Sequence, residues 1–108
     1  MKKASTRLGE KIRELRKQQS LTLEALAEKA KLSKSYLWEL ENRESQRPSA
    51  EKLTSLADAL GVATSYFIEE DVRAPEERHL DEAFFRSYKT LDSDAKEQLR
   101  KILDTFKK

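Results

Sequence analysis

TLEALAEKA-KLS-KSYLWELE, residues 22–41, reads as a short helix, a tight turn and a second short helix. Thr22 is placed to cap the first, with Glu24 in the opening turn and Leu23, Leu26, Ala27 and Ala30 as its apolar stripe. Ser33 repeats the arrangement ahead of Tyr36, Leu37 and Leu40. Lys31 and Leu32 leave room only for a turn, so the two helices must cross steeply, which makes a helix-turn-helix unit. Ala27 falls where the axes come closest, and its small side chain permits that approach.

Working outward, Leu8, Ile12 and Leu15 mark a preceding helix from about residue 7 to 19. Arg7, Lys11, Arg13, Arg16 and Lys17 are expected to cover the rest of its surface, and residues 1–6, with Lys2 and Lys3, to form a basic arm. After the unit, NRESQRP (42–48) is a polar loop, and Ser49 opens a fourth helix carrying Leu53, Leu56, Ala57 and Leu60. Gly61 suits the left-handed position that ends it. A fifth short helix over 64–68 brings Tyr66 and Phe67 to the core. EEDVRAP (69–75) reads as a linker. Beyond it, Leu80, Phe84, Tyr88 and Leu91 share one face of a helix over 76–89, flanked by Ala83 and Phe85. Asp92 or Ser93 caps a last helix with Ala95, Leu99, Ile102, Leu103 and Phe106 as its stripe, giving an αα-hairpin. The expected organisation is all-α: a five-helix domain over 1–68, a linker over 69–75 and a helical hairpin over 76–108.

Composition agrees with that class. Of 108 residues, 39% are charged and 37% hydrophobic, with only 2 Gly and 2 Pro. The absence of cysteine excludes disulfides and thiolate metal sites. No apolar run approaches a membrane span, and MKKASTRLGEKI lacks an apolar signal core, so a cytoplasmic protein without a membrane partner is expected. The net charge of +2 is uneven: residues 1–61 carry 13 Lys/Arg against 9 Asp/Glu, and the remainder 9 against 11. The basic half is the one expected to meet nucleic acid, although ordinary solvated helix faces explain the imbalance equally well. Catalysis finds no support. His79 is the only histidine, reads as a surface helix residue and has no second histidine or cysteine to share a metal. Neither a Gly-rich phosphate loop nor a Ser-His-Asp set is present, so no enzyme, cofactor or metal is expected.

Over residues 7–68 the sequence resembles the lambdoid phage repressor and Cro family, the XRE-type regulators. The matching positions are Thr22, Ala27, Ser33, Leu37 and Leu40, then Leu40-Glu41-Asn42, Arg47-Pro48-Ser49 and LADALGV at 56–62. The resemblance implies a five-helix DNA-binding domain whose third helix enters the major groove. Three positions depart from the pattern. Leu23 stands where the family often has a phosphate-contacting Gln. Lys31 replaces a frequent turn Gly, at a strain of roughly 1 kcal/mol. Arg43 stands where Gly often follows the Asn, and is expected to take the same backbone at a cost.

The resemblance turns Lys34, Ser35 and Glu39 towards bases. Spacing agrees: with Leu37 and Leu40 inward, positions 34, 35, 38 and 39 face outward or flank that face. Lys34 can donate to guanine, Ser35 can bond several bases, and Glu39 can accept from cytosine or repel phosphates. Any one of these taken alone is equally a solvated helix residue. Trp38 either meets a thymine methyl or a sugar, or packs partly on a neighbouring helix; Tyr36 divides in the same way between packing and a phosphate. Thr22, Ser33, Asn42, Arg43 and Arg47 complete the phosphate candidates. By the resemblance, Arg16 and Glu41 form a partly buried ion pair that fixes the first helix to the third.

A hairpin this small cannot hide two aromatic-rich stripes by itself. They must pack on the first domain, on a second copy or on another protein; because DNA-binding modules of the kind the resemblance implies usually act in pairs, Leu80, Phe84, Phe85, Tyr88, Leu99, Ile102, Leu103 and Phe106 are expected to meet a second copy. The implied function is a prokaryotic, homodimeric, sequence-specific regulator of transcription, most simply a repressor of an inverted-repeat operator on double-stranded DNA, open to a protein or peptide antagonist. The alternative is an interaction module, such as an antitoxin or anti-repressor partner, working through the hairpin.

Overall fold

A computed structural model describes residues 7–43 and 47–107. The arm with Lys2 and Lys3 and loop positions 44–46 lie outside the described residues. Seven helices and no strand are found among them: α1 (Arg7–Gln18), α2 (Leu23–Ala30), α3 (Lys34–Asn42), α4 (Ala50–Leu60), α5 (Thr64–Ile68), α6 (Glu77–Lys89) and α7 (Ser93–Phe106). Side-chain oxygens start four of them. Thr22, Ser33, Ser49 and Asp92 accept from the amides of Ala25, Tyr36, Lys52 and Ala95 at 2.8–3.2 Å. The stops are also local. Lys31 and Gly61 sit in the left-handed region, at φ 60° and 73°. Leu32 N–H then reaches the Ala27 carbonyl, and Val62 N–H that of Ala57, so each helix ends in a Schellman turn. Ser20, at φ 58°, ends α1 the same way through Leu21 N–H and the Arg16 carbonyl. Arg43 corrects the expectation of a strained backbone: its φ of −121° is extended, and any residue adopts it.

The core gathers Ile12 and Leu15 of α1, Leu26 and Ala27 of α2, Leu37 and Leu40 of α3, Leu53, Leu56 and Leu60 of α4, and Tyr66 and Phe67 of α5. One ridge of α1 grips the C-terminal end of α3. Gly9 lies so close that an added Cβ would sit 2.5 Å from the Leu40 carbonyl oxygen and 2.8 Å from that of Glu41. A turn further along, Arg13 donates to the Glu41 carbonyl and to Asn42 Oδ1, at 3.1 and 2.7 Å. Arg16 then closes a two-point bond on the Glu41 carboxylate, Nε at 2.7 Å and Nη2 at 3.0 Å, with that side chain only 2% exposed.

Two polar side chains expected at the surface are inside. Lys11 is 4% exposed: its ammonium donates to the carbonyls of Tyr66 and Glu69, each at 2.6 Å, and lies 4.3 Å from the Tyr66 ring centre. It therefore closes the C-terminal end of α5, where unpaired carbonyls attract a cation. Burial, then the neighbouring Arg7 charge, pushes its pKa down. His79 is 1% exposed and stands edge-on to Tyr66. Its Nδ1 accepts the Glu76 amide at 2.9 Å, which leaves the proton on Nε2 to donate to Glu69 Oε1 at 3.0 Å. Arg78 makes a fork on the same carboxylate, and together they hold Glu69 well below the usual range, at about 2.

These contacts fasten α6 to the first five helices. Ala63 N–H donates to the His79 carbonyl, and Arg86 donates to that of Val62 and pairs with Asp58. Tyr66 hydroxyl bonds the Arg73 carbonyl within the segment read as a linker. The inward face of α6 is thus His79, Ala83 and Arg86, and the apolar stripe Leu80–Phe84–Phe85 points away from the core. α7 has no buried residue, and the molecule is elongated, 53 × 28 × 25 Å.

Candidate nucleic-acid interface

α3 divides cleanly. Leu37, Leu40 and Glu41 are buried, while Lys34, Ser35 and Trp38 are exposed and Glu39 is half-buried. The four outer residues, with Leu23 from the start of α2, line one shallow hollow of about 440 Å³. Lys34 Nζ lies 2.9 Å from Glu24 Oε2, and this bond holds the Glu24 carboxyl below its ordinary pKa. Both partners are exposed, so the pair is readily exchanged for a base or phosphate.

Trp38 is 45% exposed, so part of the ring is covered and part is open to a ligand, and both readings of it stand. Its carbonyl accepts from Asn42 Nδ2 at 2.9 Å, and the Arg43 guanidinium stacks 5.6 Å from its ring centre. Asn42 thus has its oxygen taken by Arg13 and one amide hydrogen taken by Trp38, with a second hydrogen left for an anion. Tyr36 is half-buried beneath the Lys52 ammonium at 4.4 Å, and burial pushes its phenol up, so it stays a donor. Thr22 and Ser33 are exposed at the two helix starts; their oxygens accept backbone amides, leaving each hydroxyl hydrogen to donate outward. Arg47 is also exposed but lines a different hollow, with Pro48, Arg7, Leu8, Phe67 and Ile68.

The residues that sequence reasoning passed over are Leu23, Glu24, Lys52 and Arg13. Leu23 was legible only as a missing Gln. Lys52 belongs to another helix, and only the packing of α4 brings it over Tyr36.

At the far end, Phe84, Phe85, Tyr88, Leu99, Ile102, Leu103 and Phe106 line an open cleft of about 650 Å³ between α6 and α7. Phe84 is 63% and Phe106 76% exposed. Leu80 is exposed as well but lies outside the cleft. Lys96 and Arg100 approach the Tyr88 ring and Lys89 that of Phe85, so cations rim the apolar floor. Among the described residues no cluster of His, Asp and Glu is arranged for a metal, and no helix is long and apolar enough to cross a membrane.

A family described as a helix-turn-helix domain matches residues 7–65, more than half of the chain. The immunity repressor protein of Bacillus phage phi105 is 41% identical over 71 residues, which are 66% of this chain and 49% of that protein. The chain therefore spans about half the length of that relative. A crystal structure of SinR, a helix-turn-helix transcriptional regulator of Bacillus subtilis (strain 168), in complex with DNA superposes at a TM-score of 0.55 with 32% identity, over 57% of this chain and 98% of the other. A SinR/SinI protein complex superposes at 0.57 with 26% identity, over 91% and 92%.

Proposed function

This chain belongs to the XRE-type helix-turn-helix transcriptional regulators, and we propose that it acts as a homodimeric repressor, each copy laying α3 in one major groove of an inverted repeat. The observation that carries this is the division of α3: Lys34, Ser35, Trp38 and Glu39 on one side, Leu37, Leu40 and the bonded Glu41 on the other. A helix held by its back and polar on its front is what base reading requires. Phosphate contacts fall to Thr22, Ser33, Tyr36, Asn42, Arg43 and Arg47. Residues 1–68 read DNA, and 69–75 join them to the hairpin of 76–108, which pairs two copies. Half-sites then lie about one helical turn, roughly 34 Å, apart, and repression follows from covering a promoter. The reading needs no cofactor and no catalytic step.

The test is selection of bound sequences from random DNA, followed by titration of two variants. Lys34→Ala should lose roughly 1–3 kcal/mol and relax one base position, while Arg47→Ala should weaken all sequences alike and flatten the salt dependence. Equal loss of specificity in both would count against the assignment. The second reading, a hairpin that takes a different protein, is favoured by the exposed cleft and by the solved SinR/SinI pair. Purified chain that stays monomeric with the cleft open would support it.

A further inference from the structure

We propose that Leu23 and Trp38 together form a seat for the 5-methyl group of a thymine, so that the first residue of α2 is a specificity determinant alongside α3. This rests on the DNA-reading function above. The hollow in the middle of the reading face has mixed walls: Lys34, Ser35 and Glu39 are polar, whereas Leu23 and Trp38 are hydrocarbon and indole. Neither apolar side chain is idle surface. Leu23 is half-buried and packs on the core, so its exposed methyls are held in place. The Trp38 ring is backed by the Arg43 guanidinium, 5.6 Å from its centre, yet 45% of the residue stays open. A rigid apolar notch facing solvent gains nothing from water and gains from a small apolar group.

Lys34, bonded to Glu24, and Glu39 line the notch and Arg43 covers the Trp38 ring, so the rim carries both signs and the apolar walls identify the occupant as an isolated methyl. In the major groove thymine alone offers such a group, where cytosine carries only hydrogen. Leu23 cannot supply the polar contact that a glutamine makes from this position. It supplies instead a surface that discriminates T from C.

The experiment replaces each thymine of a selected duplex, one at a time, with deoxyuridine, which removes only the methyl. Affinity is read by anisotropy of the labelled duplex. Burying one methyl is worth about fourfold in affinity, so one thymine per half-site should show a loss of that size. Leu23→Ala should lose a similar factor on the thymine duplex and become indifferent to uracil at that position. Leu23→Gln serves the same purpose should the alanine variant fold poorly. Specific binding in which every uracil is tolerated overturns the seat and leaves base reading intact; so does a full uracil penalty in the Leu23 variants. Failure to select any sequence overturns both readings together.

Discussion

Replacing Gly9 by alanine sets two effects against each other, and the geometry decides the sign. Gly9 lies in the first turns of α1, where alanine improves helix propensity by about 1 kcal/mol. An added Cβ, however, would meet the Leu40 and Glu41 carbonyl oxygens at 2.5 and 2.8 Å and the Glu41 carbonyl carbon at 3.1 Å. Carbon–oxygen contacts between helices close to about 3.3 Å, so α1 must retreat from α3 by roughly 0.8 Å on that contact standard. The obstacle is backbone, which cannot swing aside as a side chain would. A gap of about that size forfeits a quarter to a half of the dispersion energy across it, here the packing of Ile12 and Leu15, and stretches the Arg13 and Arg16 bonds to Glu41. Overpacking of this kind costs about 1–3 kcal/mol before the bonds are included. The net expectation is a loss of about 2 kcal/mol, or roughly 10 °C in Tm for a domain of this size. Urea titration followed by circular dichroism and by Trp38 emission should show a lower midpoint with an unchanged slope. Binding to a selected duplex should fall further than stability requires, because the clash pushes on the end of the reading helix. A Gly9→Ala protein as stable as the parent, or more so, would refute the close approach of α1 and α3.

Glu41→Ala should cost about 3–5 kcal/mol by leaving Arg16 and Arg13 without their carboxylate, while the joint change Arg16→Met, Glu41→Met should recover most of it; equal losses in urea titration would contradict the pairing. Glu69 is held down chiefly by the Arg78 hydrogen bonds and next by His79, so its stabilisation is full above the ordinary glutamate range and fades as pH falls towards about 2. The stability gap between the parent and Glu69→Gln should therefore narrow between about pH 5 and 2, and a constant gap would argue against the network. Phe84→Lys with Phe106→Lys should convert a dimer to monomers in sedimentation and weaken binding to a full inverted repeat more than to a half-site; a dimer that survives both changes places the interface elsewhere.

Local signals made the first five helices legible. Caps at Thr22, Ser33 and Ser49, the stripes of Leu26, Ile12 and Leu56, and the glycine at 61 are all set within a turn or two of sequence. What escaped depends on distant partners. Lys11 is buried because carbonyls more than fifty residues away need a cation, although its place between Leu8, Ile12 and Leu15 on one helical face was a usable sign. His79 was hidden for a different reason. α6 has two candidate inner faces, and aromatic residues made Leu80–Phe84–Tyr88 the obvious one. The face that packs uses alanine, a histidine and an arginine, whose burial follows from the carbonyls of Val62 and the carboxylates of Asp58 and Glu69. The outer face of α3 was readable, but its Leu23 wall was not, since it belongs to the neighbouring helix.

The expected Arg16–Glu41 pair and the unexpectedly buried Lys11 and His79 form one connected framework. Glu41 at the end of α3 is bonded to Arg16 and Arg13 of α1. One turn back, Lys11 of α1 reaches the carbonyls that close α5. Glu69, at that same end, accepts a hydrogen bond from His79 Nε2 of α6. The segment 69–75 is drawn into this series through the Tyr66 hydroxyl, which donates to the Arg73 carbonyl. These bonds tie α6, one wall of the apolar cleft, to the first five helices. In the homodimer proposed above, the same bonds would restrict how far apart the two copies of α3 can lie. Charge and hydrogen bonding contribute modestly to stability in such pairs; their larger effect here is orientation, which an inverted repeat with one spacing demands.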